Sequence, residues 1–242
     1  IGIAKSNSLV DVGMLEHCVR EDLNETADRM MAVLHPLKIV IMNYPEDKEE
    51  NLLAENHPYR GGQRYVPFAR ELYIEQDDFM EEAPKKFFRL KPGGEVRLKH
   101  AYIIKCEEVI KDEAGQIVEL HCTYDPDSKS GGLTSGRKIK GTLHWVAAKY
   151  ALTAEVRLYD YLLKTDEQEE EPADFLAALN PDSIEVIHDA LIEPSAAWTA
   201  AGTRYQFLRQ GYFCVDKDSA KGKLVFNRIV GLRDSWAKAK KE

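Results

Sequence analysis

EVRLKHAYIIKCEEVIKD (residues 95–112) and QIVELHCTYD (116–125) decide the fold class. Both runs are rich in Val, Ile, Tyr and Thr, and they flank the turn formers Asp112-Glu113-Ala114-Gly115. Such a pair reads as a β-hairpin. In GEVRLKH, alternation sends Val96 and Leu98 to one face and Arg97 and Lys99 to the other. This strand therefore has a core face and a cationic face.

Working outward, the same grammar recurs. LKIVIM (37–42) is a short β-branched run, and RYVPFARELYIE (64–75) reads as a strand pair. RKIKGTLHWVAA (137–148), TAEVRLYDYLL (153–163), SIEVIHDALIE (183–193), RYQFLRQGYFCVD (204–216) and KLVFNRIVGL (223–232) each read as a strand. Helical patterning is confined to three places. Asp11 is an N-cap candidate before MLEHCVREDLNETADRMMAVL (14–34), whose Met14, Leu15, Cys18, Val19, Leu23, Ala27, Met30 and Met31 form one apolar stripe. His35-Pro36 ends it. DDFMEEAPKKFFRL (77–90) reads as a short helix bent near Pro84, and DFLAALN (174–180) as one or two turns. PDSKSGGLTSG (126–136) and TDEQEEEPAD (165–174) are polar loops, and DSWAKAKKE is a basic tail. About ten strands without strand–helix alternation imply a mainly β protein, two antiparallel barrels or sandwiches side by side after a helical lead-in. The letters show no internal repeat.

The chain has 242 residues, enough for one large or two small domains. Its 44% hydrophobic and 31% charged residues exclude a disordered chain. No apolar run approaches the roughly 20 residues of a spanning helix. The opening IGIAKSNSLVDVG lacks a basic-then-apolar leader, so a cytosolic fragment of a longer protein is expected. The four cysteines are far apart in sequence, which disfavours a disulfide framework or zinc site and makes free buried thiols the default. Phosphate-loop, GxSxG and HExxH motifs are missing, the histidines are scattered, and adjacent His121 and Cys122 point to opposite faces of a strand. This reads as a binding module.

The net charge of −8 argues against a bulk basic footprint, but it is unevenly spread. Between Lys164 and Glu193 stand ten acidic residues and one basic. Between Trp198 and Glu242 stand ten basic and four acidic, and between Glu81 and His100 six basic and three acidic. Solvated surface is the ordinary reading of such runs. Lys85, Lys86, Phe87, Phe88 and Arg89, however, interleave cations with aromatics, a mixture suited to single-stranded RNA. Gln206 can donate to and accept from a base edge. Arg209, three residues on, shares its face only at a strand end or bulge.

Taken together, LHPLKIVIMNYP, NHPYRGGQRYVPF, EVRLKHAYIIKCEEVIKD, GRKIKGTLHWVAAKYALTAEVRLYDYLL and GYFCVDKDSAKGKLVFNRIVGLRDSW resemble the C-terminal region of the glutaminyl-tRNA synthetase family, colinearly over essentially the whole chain. The resemblance implies two ribosomal-protein-like anticodon-binding barrels, with 1–33 the end of a helical connecting region, 34–145 the first barrel, and 146–242 the second with a long hairpin and return strands. Strand exchange between the barrels is compatible with it. It implies a parent class I synthetase that attaches glutamine to its tRNA with ATP. The His-Ile-Gly-His and Lys-Met-Ser-Lys signatures of the Rossmann catalytic domain do not occur here, so no catalytic residue, metal or cofactor is expected in this segment. ATP and glutamine belong to the N-terminal catalytic domain, the expected partner beside the glutamine-tRNA anticodon stem-loop. Localisation is expected to be cytoplasmic, with no membrane.

By resemblance, Arg29 contacts the middle anticodon base, and Gln206 and Arg209 form a Gln-Phe-x-Arg pattern reading the same region. Arg89 is associated with the third base. Arg97 and Lys99 match an Arg-x-Arg pair near the first, with lysine as the second member, which cannot reproduce a bidentate fork. Asn24 lies near the anticodon stem, Phe88 stands where a lysine is expected, and 164–174 is expected to face the catalytic domain. Two other readings stay open here. One is a glutamyl-tRNA synthetase of archaeal–eukaryotic type, against which the ending GYFCVDKDSAKGKLVFNRIVGLRD favours the glutaminyl member. The other is a β-barrel protein-interaction module of a synthetase complex.

Overall fold

A computed structural model describes residues 11–131, 137–164 and 175–234. Helix α1 (Val12–Thr26) starts as expected at Asp11, whose carboxylate accepts from the Gly13 N–H at 2.7 Å. It ends at Thr26, not at Leu34. The chain continues as β1 (Asp28–Met30) and β2 (Ala32–Val33). Residues 30–34 are all buried, and no single helix face can bury five consecutive side chains. An extended chain can, because alternate residues face opposite ways. Met30, Ala32 and Leu34 enter one core, and Met31 and Val33 enter the other. On α1 itself, Leu23 is buried and Val19 packs beside it, whereas Met14, Leu15 and Cys18 are exposed, so the apolar stripe is only partly covered.

The remaining strands are β3 (Pro36–Ile41), β4 (Glu50–Glu55), β5 (Gln63–Phe68), β6 (Glu71–Glu75), β7 (Glu95–Leu98), β8 (Ile103–Lys111), β9 (Ile117–Asp125), β10 (Thr142–Leu143) and β11 (Val146–Ala147). After them come β12 (Leu152–Tyr159), a helical turn α2 (Phe175–Ala178), β13 (Ile184–Ile192), β14 (Arg204–Phe207), β15 (Gly211–Val215) and β16 (Leu224–Gly231). The 204–216 stretch is a hairpin and not one strand. The 137–148 stretch holds two two-residue strands. In place of the helix expected at 77–90 there is a single 3-10 turn at Gln76–Asp78. Beyond it a β-bridge ties Phe79 to Leu90, burying both, which a continuous helix through Pro84 would prevent. The unforeseen β4, ENLLAE, consists largely of helix formers; its alternate residues Leu52 and Ala54 are buried.

Two seven-stranded sheets carry the molecule, ordered β10-β7-β8-β9-β3-β6-β11 and β1-β14-β15-β16-β12-β13-β2. In each, the edges are supplied by short strands adjacent in the chain, so the sheet wraps back toward itself as a barrel. Pairing runs in the same sequence around both: parallel, antiparallel, antiparallel, parallel, antiparallel, antiparallel. Matched in order, β1–β9 (β4–β5 aside) and β10–β16 are two copies of one unit. The first pair of each unit closes the other's barrel: β1–β2 completes the second sheet, and β10–β11 the first. The exchange admitted at the sequence level is thus reciprocal, and the repeat invisible in the letters is topological.

Two buried glutamates hold the crossing segment. Glu75, at the end of β6, accepts from the Leu34 and His35 N–H groups at 2.6 and 3.0 Å. Glu193, just after β13, accepts from the Met31 N–H at 3.0 Å and pairs with Arg64. The four cysteines are free thiols, Cys106 and Cys122 buried and Cys18 exposed. Although far apart in sequence, Cys106 and Cys122 stand directly opposite each other on β8 and β9.

Candidate nucleic-acid interface

The parallel pairing of β1 with β14 sets Arg29 beside Gln206. Arg29, 9% exposed, turns onto the end of α1, donating to the Ala27 carbonyl (2.5 Å) and to the Asn24 carbonyl and side-chain oxygens (2.9 Å each). Carbonyls at a helix C-terminus lack intrahelical partners and favour a cation. The Gln206 carboxamide donates to Tyr212 Oη at 2.8 Å, and that hydroxyl donates to Asn24 Oδ1 at 3.4 Å. Asn24, Arg29, Gln206 and Tyr212 therefore form one network. His57 encloses it. Its Nδ1 accepts from the Tyr59 and Arg60 N–H groups, so Nε2 carries the proton and donates to the Asn24 carbonyl at 3.1 Å.

Arg209 lies past the end of β14 with φ 67°, in the left-handed region. From that bend its side chain reaches across to the first barrel. Its guanidinium grips Asp78 end-on, Nη1 to Oδ2 at 2.5 Å and Nη2 to Oδ1 at 2.6 Å. Arg89 approaches the same carboxylate, Nε to Oδ1 at 3.4 Å. Arg89 and Arg209 line a groove of about 520 Å³ with Lys86, Phe87, Phe88, Lys140, Gly141 and Thr142. Phe88 is 51% exposed, and the Lys140 ammonium lies 5.0 Å from its ring centre. Gly141 makes this packing possible, since a Cβ there would lie 2.3 Å from the Phe88 carbonyl oxygen. The groove thus offers cations and an open aromatic face.

Arg97 and Lys99 occupy β7 and the residue after it. As the alternation requires, Val96 and Leu98 are buried and Lys99 is exposed. Arg97 is no wet surface residue: it donates to the Ser128 carbonyl at 2.7 Å and reaches Ser130 Oγ at 3.4 Å, and its buried Nη2 finds no partner among the described residues. His100 follows with φ 62°. Burial first, then the Lys99 and Arg64 charges, push its ring down to about 4.

The seven residues singled out in the sequence thus fall into three groups: Asn24–Arg29–Gln206, Arg89–Arg209, and Arg97–Lys99. Among the described residues Gln206 and Arg209 share no partner. Asp78, Glu75, His144 and Tyr212 were not singled out; Asp77-Asp78 reads as ordinary surface acid, and nothing local marks the second as 1% exposed. Residues 165–174, expected to face a catalytic domain, lie outside the described residues.

Two stretches of the chain, 27–125 and 142–216, match families that share one description, class I tRNA synthetases (E and Q), anti-codon binding domain. The chain belongs to the class I synthetase anticodon-binding family. The two matches fall one on each topological unit. Relatives in this family align with nearly all of it. The chain is 55% identical to the glutamine–tRNA ligase of Nitrobacter winogradskyi over 98% of its own length and 43% of that protein's. It is 54% identical to that of Clostridium perfringens, again over 98% and 43%. To that of Pseudomonas putida it is 52% identical, over 98% and 42%. The resemblance read from the sequence blocks is borne out. The chain spans about two fifths of the length of these relatives. Among the described residues no helix is long and apolar enough to cross a membrane.

Proposed function

We propose that this chain is the anticodon-binding end of a glutamine–tRNA ligase. The observation that carries the reading is the match of both anticodon-binding units and of nearly the whole chain to proteins of that name. In it, Arg29, Gln206 and Arg209 act at the middle anticodon base, Asn24 lies near the anticodon stem, Arg89 serves the third base, and Arg97 and Lys99 lie near the first. The side-by-side placement of Arg29 and Gln206 supports the first assignment. The pinning of Arg97 to the 128–130 loop leaves Lys99 as the freer cation near the first base. Glutamine and ATP are handled by a catalytic domain outside this chain, and the working compartment is the cytoplasm. The chain divides into a lead-in over 1–33, whose helix α1 ends at Thr26 and which then supplies β1–β2 to the second barrel, and barrel units over 34–145 and 146–242. The test is a binding titration with the glutamine-tRNA anticodon stem-loop and with a loop changed only at the middle base. Preference for the first is expected; equal binding of both defeats the assignment.

A further inference from the structure

Arg209 has five N–H donors, and its surroundings use three. Asp78 takes one from each Nη, and His144 Nδ1 takes the second from Nη1 at 3.2 Å. Because arginine only donates, His144 Nδ1 must be unprotonated, which places the ring proton on Nε2, facing Glu75 Oε1 at 3.4 Å. Glu75 is itself fixed by the Leu34 N–H and by the Gln210 carboxamide at 2.7 Å. What remains on Arg209 is Nε–H and the second Nη2–H, which lie parallel along one edge. That edge suits a ligand with two adjacent acceptors. The side chain is 33% exposed and lines the groove beside Phe88.

We propose that Asp78 is a positioning residue for base reading. It holds the Arg209 guanidinium so that the Nε–H/Nη2–H edge, free among the described residues, is left for the groove, and through Oδ1 it fixes Arg89 relative to Arg209. This rests on the anticodon reading above. Asp78 itself is buried, so it acts through the two arginines it holds. Its action is on recognition and not on attraction, so its loss alters the ratio of matched to mismatched binding.

The test uses this chain with two variants that keep the charges. Asp78→Glu retains the carboxylate but displaces it by one methylene. Arg209→Lys retains the cation but has no fork. Each is titrated with the matched stem-loop and with loops changed at one anticodon base, and each is melted to establish folding. Asp78→Glu is expected to reduce the matched-to-mismatched ratio roughly tenfold, the size of one good bidentate contact. Arg209→Lys does the same, and the double variant is no worse than either alone. The Arg209 Nε–H resonance, resolved in the parent, merges with those of exposed arginines in Asp78→Glu. A folded Asp78→Glu variant that keeps the parental ratio overturns the proposal, as does one that weakens all loops equally. If Asp78→Glu does not fold, Asp78→Asn and the Arg209 resonance decide in the same way. A parent chain that binds every loop equally overturns the anticodon reading itself, and this role with it.

Discussion

Arg29 and Arg209 were assigned to one base by resemblance, yet their free donors differ. Three Arg29 donors serve the end of α1, and the two left over lie on different edges, so it can offer only single hydrogen bonds. Arg29→Ala is accordingly expected to lower stability by about 1–3 kcal/mol, measured by denaturant unfolding, as well as to weaken RNA binding. Unchanged stability would contradict the helix-end role. Titratable groups give further tests. Burial works to raise the Glu50 carboxyl, but hydrogen bonds from Lys129, Tyr44, Lys48 and Tyr102 outweigh it and hold it at about 2. A folded value below the ordinary 4.5 means that this site's stabilisation is complete above about pH 4.5 and fades as pH falls toward 2. The melting-temperature gap between the parent and Glu50→Gln should shrink over that window; a constant gap would contradict it. The His100 ring should titrate near 4 by NMR, neutral at pH 7, and a midpoint near 6.5 would remove the burial argument. Its contribution is present above about 6.5 and lost as pH falls toward 4.

At the scale of elements, legibility followed periodicity. The β8–β9 hairpin was readable because two long β-branched runs flank a turn, a purely local signal. The end of α1 was not, because a stripe that continues through Met30 and Met31 fits a helix as well as a strand shared by two cores. The second core is a tertiary fact that no window contains. The turns after β7 and β14 tell the same story. Leu98–Ala101 and Phe207–Gln210 close with the same backbone bond, 3.0 Å in each, and carry their left-handed residue at the same step, His100 and Arg209. Sequence alone showed only that Gln206 and Arg209 needed a strand end to share a site. The strand end exists, and from it Gln206 bonds to Tyr212 while Arg209 turns to Asp78. Since β1–β2 completes the second barrel while Met31 fills the first, the barrels should not unfold independently. Met31→Ala is expected to cost about 2–5 kcal/mol and to lower hydrogen-exchange protection in β8 and β15 together. Loss confined to β8 would contradict shared closure.

Over the whole molecule, the sign of the net charge misleads. To bind RNA, a chain at −8 must concentrate its cations, and the groove between the barrels gathers Lys86, Arg89, Lys140 and Arg209. The cation–aromatic mixture at 85–89 was legible in the letters; that Lys140 and Arg209 would join it was not, because barrel closure and the β14–β15 turn bring them there. Lys86 has no acidic partner among the described ion pairs and is assigned to phosphate. Lys86→Ala should weaken matched and mismatched loops alike and flatten the salt dependence by about one unit of slope. A change in discrimination would move it among the base readers. If the anticodon is read where the two repeated units meet, NMR should show it in the side-chain N–H signals of Arg29, Arg89, Gln206 and Arg209 while the glutamine-tRNA anticodon stem-loop is added. These four signals are expected to shift and saturate together, and changing the middle base should selectively diminish the shifts of Arg29, Gln206 and Arg209. Shifts confined to the exposed Tyr159, Tyr161 and Val186 end of the β12–β13 hairpin, with these four unmoved, would contradict it.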